Sequence, residues 1–242
     1  MNSSAREIPR PLARVHSAIV GCDRCPRLLR HCRDVAATKK RAYLYDDYWG
    51  RPVPGFGDPR ARLLLVALAP AAHGANRTGR VFTGDGQGGS SEFLMAALHR
   101  AGFANIPTST HRDDGLRLTD AFITSAVRCA PPENKPLPAE IARCAAHLDA
   151  EVDQLPRVRV VVALGRIAFD AWLQRLRRHG GAPSPRPAFG HGVAVDCGAG
   201  QPLLVGCYHP SRQNTNTGTL TPGMMDAVLD HVKARLKEGR TA

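Results

Sequence analysis

The most regular feature of the chain is an unbroken apolar run at residues 63–69, set between a Pro- and Gly-rich stretch at 51–59 and a polar loop. A run with no polar face fits a strand of a parallel sheet covered on both sides, because an exposed face would require alternation. Apolar-rich segments at 121–127, 158–164, 193–196 and 202–207 predict further strands. Helical patterns are expected at 91–100, 138–154, 167–178 and 222–237, and two more at 9–20 and 26–37 flank the turn Gly21-Cys22-Asp23-Arg24-Cys25. Strands that alternate with helices predict an α/β fold with a mostly parallel sheet, whose ligands bind at the carboxyl ends of the strands. The loops after Ala69, Val127 and Tyr208 are therefore the expected site, whereas residues 180–187 read as a surface linker.

Length and composition add limits. At 242 residues and 43% apolar side chains, one domain over 1–242 can bury one core, with residues 1–62 as its N-terminal helical part. The net charge is +12, and residues 1–62 carry thirteen basic against six acidic side chains. Such an excess favours a polyanion, nucleic acid first, through attraction and counterion release. A general enrichment in Arg accounts for the same count, so charge alone does not decide. No segment reaches the roughly 20 apolar residues that span a bilayer, and the N-terminus lacks the apolar core of a signal peptide. The expectation is a cytoplasmic protein with no membrane association.

Seven cysteines without an export signal argue against a disulfide framework. Cys22 and Cys25 form a C-x-x-C, Cys129 follows a strand, and Cys144 lies on a helix with fourteen residues intervening. Two such pairs can supply a closed Cys₄ set for zinc or for a [4Fe–4S] cluster, and spacing does not choose between them. Cys32, Cys197 and Cys207 read as unligated thiols.

The loop after the first strand supplies small or polar groups for close contact at Ala69, Ala71, Ala72, His73, Gly74 and Asn76. Arg77 and Arg80 are candidates for phosphate, Phe82 for stacking on a planar base, and Asp85 is the loop's only carboxylate. In the second loop Asn134 offers a donor and an acceptor together, suited to a pyrimidine edge or a water. The third loop carries His209 at the strand end, a donor for developing negative charge, followed by Ser211, Arg212, Gln213 and Asn214, suited to a DNA groove.

The segments A-P-A-A-H-G-A-N-R-T-G-R-V-F-T-G-D, R-C-A-P-P-E-N-K-P and H-P-S-R-Q-N-T-N-T-G together resemble the type-5 uracil-DNA glycosylases over nearly the whole chain. The resemblance implies a three-layer α/β/α domain around a mostly parallel four-stranded sheet. It also implies a [4Fe–4S] cluster on Cys22, Cys25, Cys129 and Cys144, which selects iron–sulfur over zinc. The wider superfamily places a polar, water-activating residue close after the loop's Pro; here Ala71 and Ala72 stand there, the mark of the type-5 branch, and Asp85 corresponds to the residue thought to take over. Positions matching Asn134 and His209 are implicated in catalysis. Ser125 stands where relatives often carry an Asn that reads uracil, a departure that agrees with a broader substrate range.

The implied activity is monofunctional base excision from double- or single-stranded DNA by a monomer. The competing reading is a non-catalytic DNA-binding module stabilised by a Cys₄ metal, which would not need Asp85 and His209 at strand ends. A zinc hydrolase is disfavoured because four Cys ligands leave no open catalytic position.

Overall fold

A computed structural model describes residues 8–238. Its strands are β1 (Phe56–Gly57), β2 (Leu63–Ala67), β3 (Ala121–Ser125), β4 (Val160–Leu164), β5 (Ala194–Val195) and β6 (Leu203–Cys207). Its α-helices are α1 (Arg10–Val20), α2 (Pro26–Thr38), α3 (Ala75–Thr78), α4 (Ser90–Arg100), α5 (Pro138–Val152), α6 (Arg166–Arg178), α7 (Arg212–Asn216) and α8 (Pro222–Glu238). The sheet runs β1-β3-β2-β4-β6-β5. Its four central strands are parallel, with Leu63 opposite both Ala121 and Val160, and Val160 opposite Leu203. The expected four-stranded sheet is corrected to six strands. The additional β1 and β5 are two-residue antiparallel edges on β3 and β6; β5 lies within the strand expected at 193–196, and β1 is too short to carry a clear apolar pattern.

Alternate side chains of each strand point to opposite faces. Leu63, Leu65, Ile123, Val160, Val162 and Val205 therefore meet Leu94 and Leu98 of α4 and Val228, Leu229 and Val232 of α8. On the other face Leu64, Val66, Phe122, Val161 and Leu204 meet Leu12 of α1, Leu148 of α5 and Phe169 and Trp172 of α6. All five residues of β2 are buried, as the unbroken apolar run requires. At about 1.5–3 kcal/mol for each fully buried large apolar side chain, these two interfaces hold the layers together.

The second layer also encloses charge. Glu151 of α5 is fully buried and pairs with Arg128 at 2.9 Å and His16 at 3.3 Å, and accepts from Thr124 and, at 2.7 Å, from the Gly55 N–H. Burial pushes this carboxyl up, yet the Arg128 charge and the His16 and Thr124 hydrogen bonds outweigh it and hold it at about 2. The network ties α1, α5, β3 and the segment entering β1 to the segment that leads from β3 to Cys129.

No helix among the described residues is long and apolar enough to cross a membrane.

Candidate active site

A cavity of about 580 Å³ opens at the carboxyl ends of β2, β3 and β6. The first loop lines it with Ala69, Ala71, Gly74, Phe82 and Asp85. Ser125 comes from β3 and Asn134 from the following turn, and the third loop adds His209, Ser211, Arg212 and Gln213. A second cavity, of about 480 Å³, lies against α1 and β1 and holds none of the three candidate catalytic residues.

Asp85 is held by the start of α4. Its carboxylate accepts from the Ser91 N–H at 3.1 and 3.2 Å and from the Ser91 hydroxyl, so it acts as a remote cap on two groups at a helix N-terminus, where negative charge is favoured. Gly89 makes room for this: a Cβ there would lie 2.5 Å from Asp85 Oδ1 and 2.6 Å from Cγ. Ser91 was not expected as a site residue. A Ser pair immediately after a Gly run, opening an apolar helical pattern, was the available signal.

His209 follows β6 and sits over Gly165, whose absent Cβ would come 3.5 Å from the histidine's own Cβ. Burial pushes its pKa down to about 4, with the Asp85 charge acting in the opposite sense, so the ring is neutral at pH 7. Phe82 packs beside it, ring centroids 6.0 Å apart. Phe82 has φ +47°, rare for a bulky side chain and costing on the order of 1–3 kcal/mol, a strain that clusters at functional sites. Asn134, at φ +58°, closes a 3₁₀ turn over Pro132–Asn134; a short polar side chain tolerates this left-handed backbone.

Other expected contact residues face inward. Arg77 donates to His73 O at 3.0 Å and Gly84 O at 2.5 Å, pairs with Asp46 and stacks on Tyr43 at 3.9 Å. Arg80 is bound by Thr83, Ser109, Asp114 and Arg112 O. With their guanidinium groups engaged in this way, both arginines brace the first loop, and neither is free for the phosphate contact expected of it. Asn76 is fully buried and donates to Cys32 O and Ala72 O, because the first loop contains the short helix α3 that the sequence pattern did not reveal. His73 bonds Tyr48 at 3.0 Å, and Ala72 packs against the cysteine-bearing core. Asn214 donates to His209 O at 2.8 Å and so braces the third loop from within, where α7 replaces the irregular loop expected there.

The candidate metal ligands share one patch. Cys129 and Cys144 lie in a small core with Leu28, Leu29 and Cys32, against which Cys25 packs. Arg24 Nε donates to Cys22 Sγ at 3.4 Å and the Arg128 N–H to Cys144 Sγ at 3.3 Å. Burial pushes the Cys25 and Cys144 thiols up, against which the Arg128 charge and N–H act at Cys144; four soft sulfur donors in one patch suit an iron–sulfur cluster, so the donor set fits such a group. Among the described residues, no three His, Cys, Asp or Glu side chains are arranged to hold one ion.

A cavity at the strand ends of a parallel sheet serves many chemistries. The profile of the uracil DNA glycosylase superfamily matches residues 54–233, from just before β1 into α8. The type-5 uracil-DNA glycosylase of Mycobacterium bovis is 50% identical over 223 residues, 92% of this chain and 81% of that protein. This chain belongs to the type-5 uracil-DNA glycosylases. Those of Thermus thermophilus, 49% identical over 89% of this chain and 94% of that protein, and Pyrobaculum aerophilum, 43% identical over 92% and 97%, agree. The superfamily profile omits α1 and α2, but a type-5 match over 92% of the chain leaves too few residues outside for it to begin beyond Cys22. The type-5 likeness thus includes the N-terminal segment that carries Cys22 and Cys25.

Proposed function

We propose that this type-5 uracil-DNA glycosylase is a monofunctional enzyme of base excision repair. It hydrolyses the N-glycosidic bond of uracil and of other deaminated or modified bases in double- or single-stranded DNA, as a cytoplasmic monomer. The observation that carries the reading is the meeting of Asp85, Asn134, Phe82 and His209, from three separate loops, in one cavity.

Base hydrolysis requires the nucleotide outside the stack, a stabilised leaving base and an aimed water. The +12 charge supplies attraction to the backbone, and the segment from Ser211 enters the duplex. The flipped base stacks on Phe82 and is read by Asn134. Ser125, small and buried, leaves its edge less restricted than an amide would. Asp85, fixed by Ser91, stabilises the cationic sugar and orients the water, as carboxylates do in glycoside hydrolysis. His209, neutral at pH 7, donates a hydrogen bond to the departing base without having to lose a charge. No lysine nucleophile takes part, so the DNA strand stays intact.

Cys22, Cys25, Cys129 and Cys144 would hold the [4Fe–4S] cluster. In holding it, these four ligands would tie the N-terminal helices to α5 and the segment after β3 and would contribute to folding. The Arg128 N–H on Cys144 joins this patch to the Glu151 network.

The test is base release from a duplex with one uracil opposite guanine, comparing wild type with Asp85→Ala. The substitution removes a cap worth about 1 kcal/mol and spares the fold. Release by the wild type, reduced at least about 100-fold in the variant, is expected. Release by neither protein, despite DNA binding by both, would favour a non-catalytic module.

A further inference from the structure

We propose that Arg212 is a positioning residue for Asp85, acting from the third loop on the backbone of the first, and is not a phosphate contact. The inference rests on the catalytic reading of Asp85 above. Residues 84–89 are Gly-Asp-Gly-Gln-Gly-Gly, with Gly84, Gly86 and Gly88 all at positive φ, a sequence with little preference of its own for any one path. Ser91 orients the Asp85 carboxylate from the start of α4, and Arg77 holds Gly84 O, but neither gives the loop a reference to the segment that carries His209.

Arg212 supplies that reference. Its Nη2 donates to Asp85 O at 3.0 Å and to Gln87 O at 2.9 Å, which engages both protons of that nitrogen on either side of Gly86. Arg212 opens α7, whose cap Ser211 accepts from the Asn214 N–H at 3.3 Å, and Asn214 in turn donates to His209 O at 2.8 Å. The residue that steadies the leaving base and the one that stabilises the sugar are thus tied through one short helix. Because the same helix belongs to the segment that enters DNA, engagement of the duplex sets the position of Asp85.

The experiment measures single-turnover uracil release at saturating enzyme, and binding to a duplex carrying a non-hydrolysable 2′-fluorodeoxyuridine across a salt series. Arg212→Gln is expected to lower the saturated rate by about 10- to 100-fold, the penalty of a small misplacement. Affinity should stay within about two-fold and the salt slope should not change. In an Asp85→Asn background the same substitution should have no further effect. A salt slope reduced by about 1 with an unchanged saturated rate would instead make Arg212 a phosphate contact and overturn the proposal. An unchanged rate with unchanged binding, or a full additional loss in the Asp85→Asn background, would overturn it too. Arg212 is exposed, so the melting temperature should hold, and Arg212→Lys, read the same way, serves if Gln lowers it. Failure of the wild type to release uracil would be a failure of the glycosylase reading, distinct from these results.

Discussion

Burial holds His209 at about 4, well below an ordinary histidine at 6.5, and this makes its role testable by pH alone. At pH 5.5 a group at 4 is about 97% neutral, whereas one at 6.5 would be about 9% neutral, roughly a ten-fold difference in the working form. The measurement is the single-turnover rate of uracil release between pH 5 and 8 for wild type and His209→Gln. Taking the ratio of the two removes titrations shared by both. The ratio should be flat from pH 8 down to 5.5, with His209→Gln slower throughout by roughly 10²- to 10³-fold, the range for a lost donor at a developing charge. An inflection of the ratio near 6.5 would refute the argument, because it would place His209 in an environment that does not exclude its charged form. Stability gives a second reading. The unfolded chain takes up this proton first, so stability is lost as pH falls from 6.5 towards 4, by at most about 3 kcal/mol at 1.36 kcal/mol per unit. His209→Gln should lack that part of the acid sensitivity.

Glu151→Ala leaves Arg128 as a buried unpaired charge and should cost about 3–5 kcal/mol, seen as a fall in melting temperature of roughly 6–20 °C in calorimetry. Because the Glu151 carboxyl is depressed to about 2, its contribution is present above the ordinary 4.5 and lost as pH falls through about 2; a variant as stable as wild type at pH 7 would contradict this. Cys22→Ser should lower the melting temperature and abolish visible iron–sulfur absorbance, and a colourless variant with wild-type stability and activity would remove the cluster from the account.

The parallel core could be read directly because β2, β3, β4 and β6 are apolar runs buried on both faces, and the helices between them are amphipathic. The edge strand β1 was not legible, since two residues carry no period, whereas β5 falls within the strand expected at 193–196 and only its antiparallel pairing with β6 was hidden. The loops were legible as locations and less so as conformations. Arg77 and Arg80 look like phosphate ligands in a sequence because nothing local shows Asp46, Asp114 or the carbonyls that engage them. Glu151 and Arg128 stand 23 residues apart, and their pairing comes from the packing of α5 on the sheet. The cysteine set remains a proposal from spacing and the family likeness; its neighbourhood of Arg24 and the Arg128 N–H was not legible.

The pairing of small residues near Pro70 with a carboxylate fifteen positions later has a steric logic. A Cβ on Gly74 would lie 3.2 Å from both the Ala71 Cβ and the Asp85 Cβ, and 3.2 Å from Thr83 O, so any side chain at 74 would crowd all three. Asp85 therefore enters the cavity across the space that Ala71 and Gly74 leave open, while Gly89 lets its carboxylate reach the start of α4. A larger polar side chain at position 71 would compete with Asp85 for the same volume. Placing the carboxylate at the far end of the first loop gives it two things that a residue beside Pro70 would lack: the Ser91 hydrogen bonds at a helix N-terminus, and a backbone that Arg212 can hold from the segment carrying His209. On the proposed reading of Asp85, small residues at 71 and 74 and a carboxylate at 85 thus form one arrangement, in which the group proposed to stabilise the sugar stands where Arg212 can hold its backbone.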